Sequence, residues 1–160
     1  MRNLIVYYSL EGNTKFISET IAKEIDADIL ELKPKKAMPS SGFKKYVWGG
    51  IGVTFKQKPM LINEDVDLTK YNTIFLGTPI WAGTYSTPFN TFIAKNKIDH
   101  KNIALFVCYA GGKTEKCFSN FKKAFPGNDF IGEIDFLDPL QNNTEENILK
   151  VKNWIKTLSI

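Results

Sequence analysis

Five apolar residues, Leu4-Ile5-Val6-Tyr7-Tyr8, run into a short polar loop, Ser9-Leu10-Glu11-Gly12-Asn13-Thr14, and then into an amphipathic pattern. This order restricts the folds open to the chain. The apolar run is rich in β-branched and aromatic residues and too short for a helix, so it reads as a strand buried on both faces. Beyond the loop, Ile17, Ile21, Ala22 and Ile25 recur at helical spacing, with Lys15, Glu19, Lys23 and Glu24 opposite them. The loop is therefore a strand-to-helix turn.

The same alternation returns along the chain. Ala27 to Leu32 gives a second strand, and Tyr71 to Gly77 a third. A helix from about Thr87 follows, with Pro88 in its first turn. Ile103 to Cys108 is the fourth strand, before a helix carrying Phe118, Phe121 and Phe125 that Pro126-Gly127 stops. Phe130 to Leu137 supplies the last strand, split or irregular. Asn147 to Leu158 supplies the last helix, with Ile148, Val151, Ile155 and Leu158 inward and Trp154 at its border. Residues 35 to 70 are the least regular. There Phe43, Tyr46, Val47 and Ile51 mark a short helix after Pro39-Ser40-Ser41, ended by Gly49-Gly50 and Gly52, and Val53 to Pro59 reads as extended or loop. Repeated β-α units point to an α/β fold, a doubly wound parallel sheet with helices on both faces.

At 160 residues and 43% hydrophobic content the chain fits one domain, 1–160, with length enough for a real core. Its longest apolar run, Ile103 to Ala110, is far too short to span a bilayer, and no signal peptide is expected at its start. A cytoplasmic protein without a membrane span is the expectation. Cys108, Cys117 and the single His100 make neither a disulfide framework nor a metal site. They also give a Ser-His-Asp or Cys-His arrangement little to stand on. Both thiols read as buried fillers. Lys33, Lys35, Lys36, Lys44, Lys45, Lys56 and Lys58 fall in one stretch and more than account for the net charge of +4. A solvated face explains such a patch, and so does an acidic partner. Nucleic acid is not expected, because no recognised nucleic-acid module accompanies it.

The loop at 9–14 suits a phosphate. A helix N-terminus presents unpaired N–H groups and the positive end of the macrodipole. Ser9 and Thr14 add hydroxyls, Asn13 an amide, and Gly12 permits close approach or positive φ. The spacing of a P-loop and of a dinucleotide fingerprint is absent. The same residues also suit an ordinary N-cap made by Asn13 or Ser9. In doubly wound sheets ligands sit outside the carboxyl ends of the strands, and three such ends carry unusual residues, at Ser9, Thr78 and Cys108. Three loops then converge on one site.

Together these loops resemble the flavodoxin family: Ser-x-x-Gly-Asn-Thr at 9–14, Thr-Pro-Ile-Trp-Ala-Gly at 78–83, and Cys-Tyr-Ala-Gly-Gly at 108–112. The resemblance implies a flavodoxin-like five-stranded sheet of order 2-1-3-4-5 that binds FMN without a covalent link. It would place Ser9, Glu11, Gly12, Asn13 and Thr14 around the phosphate. Ile80, Trp81, Ala82 and Gly83 would flank the isoalloxazine, with Thr78 and Pro79 before them also counted as cofactor-binding. Cys108, Tyr109, Ala110, Gly111 and Gly112 would complete its pyrimidine side, with Tyr109 as second aromatic face. The peptide at Ala82-Gly83 would turn its carbonyl toward flavin N5, and Gly83 would make that turn less costly.

The function this implies is a low-potential electron carrier that cycles through a neutral semiquinone, between a reductase and acceptor enzymes, with no catalytic residue. The lysines of 33–58 are a candidate docking patch for such partners. The sequence departs from carrier flavodoxins in its pI of about 8.9, since those tend to be acidic. The alternative is an FMN-dependent NAD(P)H:quinone-type reductase of quinones or small aromatics, in which Tyr46, Trp48, Gly49, Gly50 and Phe55 cover the ring. A receiver-like domain is set aside, because Gly77-Thr78 stands where its aspartate belongs.

Overall fold

The computed structural model describes residues 2–36 and 57–160. Within them β1 (Asn3–Tyr7), α1 (Asn13–Glu24), β2 (Ala27–Glu31), a 3-10 turn (Leu68–Lys70), β3 (Thr73–Pro79) and α2 (Pro88–Lys95) are followed by β4 (Asn102–Tyr109), α3 (Glu115–Ala124), β5 (Asp129–Leu137) and α4 (Thr144–Thr157). The short helix expected around Phe43 to Ile51, and the ring-covering segment Tyr46 to Phe55, lie outside the described residues.

The strands form one sheet of order β2-β1-β3-β4-β5, every neighbouring pair parallel. This is the expected doubly wound order. Alternation along the strands sends side chains into two cores. Leu4, Val6 and Tyr8 face the side covered by α2 and α3 through Phe89, Phe92, Phe118 and Phe121. Ile5 and Tyr7 face the other, covered by α1 and α4 through Ile17, Ile21, Val151 and Trp154. No described helix is long and apolar enough to cross a membrane.

Two local expectations need correction, and the structure decides a third between its alternatives. Trp154 is not at the border of the last helix: it is 8% exposed and meets Phe75 edge-on at 6.0 Å. That helix begins at Thr144, because Asn143 Oδ1 accepts the Glu146 N–H at 3.3 Å while its amide donates to Glu146 Oε2 at 2.7 Å. Asn143 is thus the N-cap, and the second bond, between the two side chains, holds its amide in place. The last strand is continuous, and its irregularity is a bulge: Ile103 pairs with Phe130 and Ala104 with Gly132, leaving Ile131 as the extra residue. Gly132 there leaves room for α4, since a Cβ would lie 2.4 Å from Leu158 Cδ2.

Candidate functional site

The chain leaves the sheet after Tyr8, whose N–H donates to the Gly77 carbonyl at 3.1 Å. The Gly12 N–H donates to Ser9 Oγ at 3.2 Å and closes the 9–12 loop. Gly12 itself, at φ 93°, is the N-cap of α1, and no side chain caps that helix. Asn13 looks elsewhere: its Oδ1 accepts the Leu140 N–H at 3.0 Å, fastening the β5–α4 loop onto the start of α1. The ordinary N-cap reading of Ser9 or Asn13 is thus excluded. What is left is a helix end with donors and no acidic residue in its first turn.

Thr14 sharpens this. Its side chain is 1% exposed, and its Oγ1 has no hydrogen-bond partner. Among the described residues its neighbour is the Cys108 thiol, a soft and weak partner whose pKa it lowers against the rise from burial. A buried hydroxyl without a partner costs about 1–3 kcal/mol, a cost that an acceptor bound at the helix end removes.

The ends of β3 and β4 are tied by the Ile80 N–H donating to the Cys108 carbonyl at 2.9 Å. After it, Trp81 and Thr84 exchange two backbone bonds, 2.8 and 3.0 Å, around Ala82 at φ 46° and Gly83 at φ 77°. Two positive φ values make this a type I′ hairpin turn. Ala82 thus shares with Gly83 the left-handed backbone that glycine adopts more cheaply. The Ala82-Gly83 peptide takes no part in the two bonds. Trp81 is half-buried, one edge set against Tyr8 at 5.5 Å and 83°. Thr78 is fully buried, and its Oγ1 accepts the Ser86 N–H at 3.0 Å, so it braces the turn from beneath.

Ser9, Glu11, Asn13, Thr14, Pro79, Ile80, Trp81, Ala82, Cys108, Tyr109 and Ala110 line one cleft of about 310 Å³. That volume falls in the range of small-molecule sites, about 300–1,000 Å³. Of the other residues expected here, Gly12, Thr78 and Gly83 shape the loops without lining the cleft, and Gly111 and Gly112 stand exposed beside it. Leu10 and Asp138 line it unexpectedly. Asp138 follows β5 at φ 37°, held by its N–H donating to the Tyr109 carbonyl at 2.9 Å. Among the described residues no Lys, Arg or His lines the cleft.

Burial pushes the Cys108 thiol up to about 12, with Asp138 adding to the rise, and burial alone does the same for Cys117. At pH 8 such thiols are ionised in about one molecule in ten thousand. We expect iodoacetamide to leave both unmodified in the folded protein and to label both in urea. Rapid native labelling of Cys108, followed by mass spectrometry, would reassign it as a reactive thiol.

A family model described as flavodoxin matches residues 2–158. The chain belongs to the flavodoxin family. A flavoprotein of Lactobacillus acidophilus, solved in complex with FMN, is 26% identical to this flavodoxin-family chain. The likeness covers 91% of this chain and 98% of that one, at a TM-score of 0.74. A protein of Bacteroides uniformis shares the fold at a TM-score of 0.80, with 21% identity over 97% of each chain. A protein of Archaeoglobus fulgidus is 26% identical over 152 residues, 95% of each chain.

Proposed function

We propose that this flavodoxin-family chain is a one-electron carrier working through FMN held in the cleft between the β1, β3 and β4 loops. The observation that carries the reading is the buried Thr14 hydroxyl, with no partner but the weak Cys108 thiol among the described residues, at an uncapped helix N-terminus in the same cleft as Trp81 and Tyr109. The phosphate belongs at Ser9 to Thr14, where backbone N–H groups and the Ser9 and Thr14 hydroxyls hold it. An isoalloxazine is a broad apolar plane with polar edges, and it supplies one- and two-electron chemistry when bound. Trp81 and Tyr109 offer it aromatic faces and exclude water. The Ala82-Gly83 peptide, outside the hairpin's own bonds, offers a polar group to its edge.

A carrier needs no nucleophile, and burial keeps the cleft's thiol neutral. Partners are then redox proteins, a reductase and its acceptors. The lysines at 33, 35, 36 and 58 are exposed and open to them, while Lys44, Lys45 and Lys56 lie outside the described residues. The experiment is an anaerobic reductive titration of the FMN-loaded protein, with NAD(P)H and quinone assayed beside it. A long-lived, red-absorbing one-electron form and negligible NAD(P)H oxidation support the carrier. Direct two-electron reduction with quinone turnover would replace it by the reductase reading.

A further inference from the structure

A second cavity, of about 440 Å³, lies on the other side of the Trp81–Thr84 hairpin, and Ala82 lines both. Its floor comes from the turn, Thr84 and Tyr85. One wall is α2 through Asn90, and the other is α3 through Lys116, Asn120 and Lys123. Spacings of four and three residues put those three side chains on one helix face. That face is fixed to the hairpin, because the Asn120 amide donates to Thr84 Oγ1 at 2.8 Å. The Lys116 stem also runs along Gly83, its Cδ 3.5 Å from where a Cβ would stand.

The charges here are of one sign. Lys122, the next cation on α3, is paired with Glu133 on β5, and Lys150 on α4 with Asp135. Lys116 and Lys123 pair with no carboxylate among the described residues, and none lines the cavity. Glu115, Glu133 and Asp135 border a separate groove beyond α3, which Lys123 also touches. Lys116 faces the hairpin side alone. Two hydroxyls add donors, beside the amides of Asn90 and Asn120, which donate to the Gln57 carbonyl and to Thr84. Thr84 Oγ1 accepts from Asn120 and keeps its own proton to give, and the Tyr85 hydroxyl stays protonated, because burial raises its pKa.

We propose that this cavity is a binding subsite for the oxyanion group, carboxylate or phosphate, of a small organic anion, with Lys116 and Lys123 as its cations and Thr84 as its hydroxyl donor. A concave site with hydroxyl donors and two cations unpaired among the described residues selects such a group by charge and hydrogen bonding together. Because Ala82 separates the cavity from the first cleft by one hairpin strand, a ligand seated here lies alongside whatever the first cleft holds. That consequence, an anionic electron donor or acceptor held beside the flavin, rests on the FMN reading. The binding itself does not.

The test is an amide NMR titration of the FMN-free, isotope-labelled full chain with citrate and, separately, pyrophosphate, each against sodium chloride at equal ionic strength. We expect saturable shifts at Thr84, Tyr85, Lys116 and Asn120 that chloride does not produce, and the better of the two anions names the group. In Lys116→Gln/Lys123→Gln, both exposed sites that leave the core intact, affinity falls about tenfold. Equal shifts with chloride, shifts spread over lysines throughout the chain, or unchanged affinity in the double variant would overturn the subsite. Shifts confined to Ser9–Thr14 would also overturn it, while leaving the FMN reading standing. A parallel FMN titration, read at Thr14 and Trp81, fails or succeeds on its own.

Discussion

Trp81→Ala weakens FMN binding about a hundredfold in a flavin-fluorescence titration, with the fold retained. An aromatic ring carries about 150–250 Å² of surface, and covering the half of it that faces the cleft is worth about 3 kcal/mol. Trp81 is suited to this because its other edge is already spent against Tyr8, which holds the indole in place before any ligand arrives. Truncation also removes that contact, so a modest fall in Tm accompanies the loss, about 2–4 °C per kcal/mol for a chain of this size. Trp81→Phe keeps a stacking plane and should recover much of the affinity. Full FMN affinity in Trp81→Ala would remove Trp81 from the site.

Gly77→Ala has the largest expected effect on stability. Gly77 lies between Tyr7 on β1 and Phe106 on β4, in the middle of the sheet. The Phe106 ring covers it so closely that a Cβ would fall 2.0, 2.3 and 2.7 Å from three of its ring atoms. Phe106 is fully buried and has nowhere cheap to go. Overpacking of this kind costs about 3 kcal/mol, which for this length lowers Tm by about 10 °C. Phe106→Leu should restore part of the loss only in the Gly77→Ala background, a coupling that a double-mutant cycle reads directly. A Tm unchanged by Gly77→Ala would show that the ring does not lie across the glycine.

The residues themselves carried the alternation of strands and helices and the convergence of three loops, because each strand is a dense apolar run and each helix a periodic one; the strand order came with the resemblance. Ser9, Thr14, Trp81 and Tyr109 were legible through the resemblance, and the structure brings them to one cleft. What was missed depends on distance along the chain. Asp138 reaches the cleft because β5 ends beside Tyr109. The clasp of Leu140 on Asn13 joins residues 127 positions apart, which no local pattern announces. The brace that Thr78 forms is equally non-local in kind: its Oγ1 accepts the N–H of Ser86, eight residues on. The start of α4 was readable, by contrast: Asn143-x-x-Glu146 is a capping-box spacing that the apolar periodicity, beginning later, concealed.

The proposed phosphate site consists of neutral donors and a helix dipole, with the buried Thr14 Oγ1 facing no nitrogen or oxygen acceptor among the described residues. The most direct measurement compares FMN with riboflavin, which lacks the phosphate, in binding to the FMN-free protein and to Thr14→Val, at 0.05 M and 0.5 M salt (about 14 and 4 Å of Debye length). We expect FMN to bind at least about tenfold more tightly than riboflavin, a gap that largely survives the higher salt and narrows in Thr14→Val. Equal affinities for the two flavins, or a gap that salt abolishes, would contradict the proposed site.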